Sequence, residues 1–384
     1  MKILHIDIEG GYGGSSRSLA KLVLALKGLQ KETESIVICK ASGPIQDEYL
    51  ANGVQCEVFE HMFSRIPLPK YNFRNLLTSI KDLPSLFRLH RKICEIEPDV
   101  VHFNHAGLMF NGLLLKLTGF PGKIIIHSRV LWPQNIFARL FTFLLSRSSD
   151  HIVAIAEPVL DAHVANGLNQ SFVSVIHNPS SSFISWDKVA MSKPLNERCK
   201  IAYFGTIGNL KGASRLIELA DYLKERKFSY AINIYGNAPR RKSLTKDINS
   251  ELMKIQARQA LSDKSFEFKY RGFVENPECE MRLADFIVRP SLSNDPWGRD
   301  VIEGMSLGGV VIATGNFNGF IKSGENGFLI GDWDTETVGN LIIDMWGRKS
   351  KFREMQKNAV MFAENAFSPQ RLASKFTELI NGHS

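Results

Sequence analysis

Two stretches of this chain open in the same way. The run "KILHIDI" is short and apolar, meets the glycines of "EGGYGGSS", and passes into "RSLAKLVLALKGLQ", whose apolar residues recur at helical spacing. From Cys199 the pattern starts again as "CKIAYFGTIGNLKGASRLIELADYLKER". A strand that turns through glycines into a helix is the opening of a doubly wound unit, so two such openings predict two units. After the first come the β-branched runs "ESIVICK", "VQCEVFE", "DVVHFN", "GKIIIHS", "DHIVAIA" and "FVSVIHN". After the second come "YAINIYGNA", "FEFKYRGFV", "ADFIVRPS", "GGVVIATG" and "GFLIGD". Strands that alternate with helical patterns argue for parallel sheets covered on both faces. The fold class is therefore read as α/β, two Rossmann-like domains with parallel sheets facing a central cleft. The first domain spans 1–179 and the second 198–365. Between them, 180–197 reads as a linker, because "PSSSFISWDKVAMSKPLN" breaks the alternation. The last stretch, 366–384, is an amphipathic helix with Leu372, Phe376 and Leu379 on one stripe.

Composition agrees with this division. A chain of 384 residues exceeds what one core usually serves, and 44% apolar with 22% charged residues is globular, which excludes disorder and fibres. The five cysteines show no close pair in sequence, so neither zinc spacing nor a disulfide framework is expected, and a cytoplasmic location is read from that. The opening apolar run meets Asp7 and Glu9 too soon for a signal peptide, and no apolar segment is long enough to span a membrane. Net charge is +8, and the window from His61 to Ser149 holds twelve Lys and Arg against four acids, a local excess as large as that of the whole chain. Within it Arg65, Lys70, Arg74, Lys81, Arg88, Arg91 and Lys92 alternate with apolar residues. Such a mixture suits the surface of an anionic membrane, or else a solvated basic face whose apolar side is core. No recognition motif accompanies the charge, so nucleic acid is not an expected partner.

In doubly wound sheets the ligand lies at the carboxyl ends of the strands, which brings Gly13, His105, Lys211, Gly236, Gly272 and Asp295 to the loops that should converge on it. The segment "SNDPWGRDVIEGMSLGGVVIA" crowds Asp295, Trp297, Gly298, Arg299, Asp300 and Glu303 at the start of a helix. Amides of Trp297, Gly298 and Arg299 suit a phosphate, while Asp295 and Glu303 suit sugar or ribose hydroxyls. Taken singly, either acid would more often be a helix cap or first-turn acid. Together they suit a nucleotide sugar.

The same segment, continued through "GNFNGFIKSGENGFLIGDWD", resembles the donor-binding core of glycosyltransferase family 4, the retaining transferases with the two-domain GT-B fold. That family commonly carries two glutamates separated by seven residues, an alanine- and glycine-rich helix, an apolar strand and a late "NGLL"-like turn. Glu303 falls on the second glutamate and "ENGFLI" on the turn, while Asp295 replaces the first glutamate. "GGYGGSS" resembles the family's glycine loop, "VVHFNH" its histidine loop and "YFGTIGNLKGASRLI" its loop with arginine and lysine. Lys211 matches that lysine. Thr206 stands where arginine is usual, and Arg299 is the candidate to supply the missing cation. "GNFNGFIKS" departs from the family's Gly-Gly followed by Pro-Glu.

The resemblance implies transfer of a sugar from a nucleoside-diphosphate donor, with retention, to a glycan or lipid-linked acceptor bound by the first domain. His105, Asp295 and Arg299 are the implied catalytic residues. Gly13, Gly14, Gly205, Thr206, Lys211, Gly236, Gly272, Val274, Trp297, Gly298, Arg299 and Glu303 are the implied donor contacts, with backbone near Gly272 and Val274 reading the base. In the histidine loop Asn104 takes the second place of the usual His-x-His and His105 follows one residue late; His102 is expected inside the sheet, and His127 with Arg129 at the next strand's end. Lys211, Arg299 and helix amides are expected to stabilise the leaving diphosphate without a metal or other cofactor. Asp332 and Asp334 form an Asp-x-Asp, but "GDWDTETVGNLI" reads as a turn and helix cap. The last helix is expected to pack back onto the first domain. Three other readings have to be separated from this one: a GT-B epimerase or hydrolase, a non-catalytic relative that binds a sugar nucleotide or a partner transferase, and a dinucleotide oxidoreductase. The last fails because Gly-x-Gly-x-x-Gly is not matched and "SIVICK" ends in Lys40 rather than an acid.

Overall fold

The computed structural model describes residues 1–11, 13–29, 32–63, 73–192, 195, 198–237, 245–295 and 297–382. The chain divides into two compact units, 1–179 with 367–384, and 180–366. Of the basic stretch that runs to Lys92, Arg65 and Lys70 lie outside the described residues, as do the side chains of Arg74 and Lys81.

The first unit is a seven-stranded sheet. Its strands are β1 (Lys2–Asp7), β2 (Glu34–Cys39), β3 (Gln55–Val58), β4 (Val100–Phe103), β5 (Lys123–Ser128), β6 (His151–Ala154) and β7 (Val173–Val175), in the order β3-β2-β1-β4-β5-β6-β7. Every neighbouring pair is parallel. Because both faces are covered, the five inner strands are buried along most of their length and read as continuous apolar runs, while the edge strands β3 and β7 are mostly half-buried. Strand order reverses between β1 and β4, so the loops after these two strands diverge and leave room for a ligand at their carboxyl ends.

One face packs helix α1 (Gly14–Leu29) and the terminal helix α14 (Pro369–Asn381). Leu372, Phe376 and Leu379 of α14 share a core with Ile3, Leu22, Leu26, Val100 and Ile125. Pro369 opens α14 and Gly382 closes it at φ 82°, a left-handed cap that glycine adopts without Cβ strain.

The second unit is a six-stranded, all-parallel sheet: β8 (Cys199–Phe204), β9 (Tyr230–Tyr235), β10 (Phe266–Gly272), β11 (Phe286–Arg289), β12 (Val310–Thr314) and β13 (Gly327–Ile330), ordered β10-β9-β8-β11-β12-β13. Its core joins Ile201, Tyr203, Ile232, Phe286 and Ile312 to the buried faces of α8 (Arg215–Glu225) and α12 (Thr335–Gly347). The segment read as a linker carries a helix, α7 (Trp186–Ser192), and belongs to this unit. Val189 of α7 is fully buried, and a Cβ at Gly308 would come within 2.5 Å of it, so a glycine there admits the helix. Among the described residues no helix is long and apolar enough to cross a membrane.

Candidate functional site

In the second unit the loops after β8, β9 and β10 lie against one another. Gly236 donates its N–H to the Gly272 carbonyl at 2.8 Å and Gly205 donates to Tyr235 at 3.0 Å. A Cβ at Gly236, whose φ is 145°, would stand 1.7 Å from the Gly205 carbonyl, so the approach of these two loops requires glycine. Thr206 is exposed and its carbonyl accepts the Tyr203 hydroxyl at 3.0 Å, while Val274 is half-buried beyond Gly272.

Lys211 ends a short turn, Asn209–Lys211, that is tied to the loop after β11: Leu292 donates to the Leu210 carbonyl at 3.0 Å. This tie brings Lys211 to Asp295. Its Nζ donates to Asp295 Oδ2 at 2.9 Å, Arg289 Nη2 donates to the same oxygen at 2.8 Å, and Ser291 and Ser293 donate to Oδ1 at 3.0 and 2.8 Å. Burial pushes the Asp295 carboxyl up, but Arg289 and Lys211 outweigh it and hold the group below the usual carboxylate range. Arg289 also donates to Asp300, and burial, which disfavours its charge, is overcome by these two carboxylates, so it stays protonated. A Cβ at Gly298 would press within 2.4 Å of both Arg289 and Asp300, which accounts for glycine at the start of helix α11 (Arg299–Ser306).

Along α11, Arg299 donates to Glu303 one turn later and to Ser181 Oγ at 2.5 Å, and Ser181 donates to Glu303 at 2.9 Å. Trp297 is buried edge-to-face against Phe317 at 5.7 Å. The structure thus joins Lys211 to Asp295 and Arg299 to Glu303, and it adds two residues that the sequence reading missed, Arg289 and Ser181. Arg289 had one visible signal, a charge at the last position of the buried run "DFIVR". Arg299, read from the sequence as a phosphate cation, has its guanidinium on Glu303 and Ser181 in this structure.

The first unit gathers a second polar group at the ends of β1, β4 and β5. Arg129 donates to the Asn104 side chain and carbonyl and, at 2.5 Å, to Asn178, and Asn104 donates to Asp7 at 3.1 Å. His105 caps a turn: Gly107 donates to its Nδ1 at 2.8 Å, which leaves the ring proton on Nε2. Burial first, then Arg129, lowers the His105 pKa to about 4, so at neutral pH it is an uncharged donor. His102 lies inside the sheet as expected. His127 does not reach the strand-end surface: it is buried, and a row runs from His5 Nδ1 to His102 Nδ1 at 2.9 Å and from His102 Nε2 to His127 Nδ1 at 2.9 Å. A Cβ at Gly13 would meet only the flexible end of the Glu9 side chain, and Gly14 is the first residue of α1.

Asp334 caps α12, accepting the Thr337 N–H at 2.8 Å, and hydrogen bonding from the Thr337 side chain, then from its backbone, holds the carboxyl below the usual range. Among the described residues no three His, Cys, Asp or Glu side chains stand where they would share a cation. Cys39 and Cys56, far apart in sequence, meet with their sulfurs 3.9 Å apart on neighbouring strands, a proximity that sequence spacing concealed.

Comparison with known proteins identifies the family and the fold. The sequence profile of Glycosyltransferase Family 4 matches residues 12–180, and that of Glycosyl transferases group 1 matches 198–347. The chain belongs to glycosyltransferase family 4. Its fold is GT-B, as in Anabaena HepE in complex with UDP-glucose, at a TM-score of 0.77 and 17% identity over 100% of both chains. The lipopolysaccharide outer core galactosyltransferase WaaB shares the fold at a TM-score of 0.64 and 15% identity, again over 100% of both chains. An uncharacterized 42.6 kDa protein in the cps region of Klebsiella pneumoniae is 24% identical over 57% of this chain, and the match spans 58% of that protein's length.

Proposed function

We propose that this family 4 glycosyltransferase moves a hexose, with retention, from a nucleoside-diphosphate donor to a glycan or lipid-linked acceptor in the synthesis of a polysaccharide or cell-surface glycan. The observation that carries the reading is the charge cluster at the strand ends of the second unit, where Asp295 holds the Lys211 ammonium beside the start of α11. A leaving diphosphate develops negative charge, and an ammonium already oriented by a carboxylate and two serines stabilises it with little reorganisation. Glu303 is oriented by Arg299 and Ser181 to accept a ribose or sugar hydroxyl. The Nε2–H of His105, neutral at physiological pH, is assigned to a hydroxyl of the donor sugar. Lys211 and backbone amides supply the positive field, so the transfer proceeds without a metal or other cofactor. That HepE is seen with UDP and UDP-glucose favours a uridine donor. The reaction is placed in the cytoplasm, at the inner face of the plasma membrane.

A second reading is favoured by one observation. Thr206 takes the place of the usual arginine, and Arg299, the residue offered in its stead, is engaged by Glu303. On that reading the chain binds a sugar nucleotide without turning it over.

A thermal-shift panel of nucleoside diphosphates and their sugars, with and without EDTA, separates the two when it is paired with an assay of free nucleoside diphosphate in the presence of acceptor. Saturating donor should stabilise the protein by roughly 2–3 kcal/mol. The shift should survive EDTA and vanish in Glu303→Ala. Stabilisation with no release of nucleoside diphosphate would favour the binding-only relative, and a shift abolished by EDTA would end the metal-free assignment.

A further inference from the structure

Helix α5 (Ile136–Arg147) is apolar on both of its sides. Inward, Ala138, Phe141 and Leu145 are buried. Outward, Ile136 is 72% exposed, Phe137 56%, Leu140 53% and Phe143 53%. Positions i, i+1, i+4 and i+7 fall on one face of a helix, so these four side chains form a single stripe. The loop that leads into the helix adds exposed Val130 and Leu131. A contiguous apolar surface of this kind is uncommon on a solvated protein and marks an interaction face.

The charge along the segment that carries the stripe is of one sign. No Asp or Glu occurs between Asp99 and Asp150. Of the cations in that window, Lys116 pairs with Asp150, Lys123 donates to the Leu379 carbonyl of α14, and Arg129 holds Asn104 and Asn178. Arg139 and Arg147 stand exposed on α5 itself, with the Arg147 guanidinium 5.1 Å from the centre of the Phe143 ring.

We propose that the outer face of α5 docks on an anionic lipid surface, with Ile136, Phe137, Leu140 and Phe143 in the boundary between headgroups and acyl chains and with Arg139 and Arg147 on lipid phosphates. An interfacial helix gains from buried apolar area and from each cation near a negative surface, and this face offers both. A second copy of the chain is the poorer occupant. Two-fold pairing would set these arginines against their own copies, with no acid from the same segment to answer them. The inference deepens the reading of a lipid-linked acceptor, and it moves the lipid contact from the basic stretch ending at Lys92 to α5.

The test is flotation of the full chain with phosphatidylcholine vesicles, with and without phosphatidylglycerol, for the wild type, Phe137→Ser/Leu140→Ser/Phe143→Ser, and Arg139→Glu/Arg147→Glu. The wild type should float with the anionic vesicles, less so at high salt. Both variants should lose about ten-fold or more of that binding with the melting temperature unchanged, because every altered side chain is exposed. Failure of the wild type to float, or undiminished flotation of both variants, overturns the proposal. A wild-type dimer in light scattering that the serine variant abolishes would give the face to a second copy. Flotation needs neither donor nor acceptor, so a chain that floats but transfers no sugar sinks the transferase reading alone, and an active chain that ignores vesicles sinks this one alone.

Discussion

A guanidinium removed from water is costly unless carboxylates meet it, and Arg289 meets two, Asp295 and Asp300. Arg289→Met would leave Asp300 buried without its cation, at an expected cost of about 3–5 kcal/mol, read as a lowered denaturation midpoint. Asp295→Asn keeps the shape and the serine bonds but releases Lys211, so donor affinity should fall about ten-fold while stability falls less than in Arg289→Met, a split that calorimetry would show. Equal losses of affinity and stability in the two variants would mean that Asp295 serves the fold alone. Acid should act in the same sense. The Asp295 carboxyl sits below its unfolded value, so its contribution is present above about pH 4 and is lost as pH falls through the folded pKa. Lys211, Asp295 and Glu303 could be singled out as candidates in the sequence because motif spacing carries them. Arg289 was not, since its partners lie six and eleven residues away through a loop whose path no periodicity encodes.

Helices and strands were legible where their period is local. The amphipathic stripe of α14 was visible as Leu372, Phe376 and Leu379, and the structure seats that stripe on α1 and the sheet of the first unit. Phe376 is fully buried and its ring centre stands 4.8 Å from that of His102. Phe376→Ala should therefore cost about 3–5 kcal/mol, with the loss confined to the first unit. Proteolysis under partial denaturation, with fragments identified by mass, checks this: fragments of 180–366 should survive in the variant, and simultaneous loss of both units would contradict it. Helix α7 escaped the sequence reading because its seven residues are too few to show a period, and the room for Val189 is left by the missing side chain at Gly308, far along the chain.

The histidines are divided unequally between the two units. All ten lie in 1–179 and 367–384. Burial lowers the His5 pKa to about 3 and the His163 pKa to about 4, and it drives His102 and His127 well below the ordinary value. An imidazole held neutral in the fold but free to charge when unfolded stabilises the fold above its unfolded pKa near 6.5, and the contribution is lost as pH falls toward the folded value. At about pH 5 each fully buried imidazole should cost on the order of 2 kcal/mol, so the first unit should open before the second. Limited proteolysis at neutral and acidic pH would show it, and earlier loss of 180–366 on acidification would refute it. The alternation of strand and helix, the paired glycine turns and the division into two units were written in the sequence, because hydrophobic period and backbone freedom are properties of neighbouring residues. The partners of the charges were not. His5 and His102 are 97 residues apart and Lys211 and Asp295 are 84 apart, and each pair meets only because the order of strands in a sheet places two loops or two strands side by side.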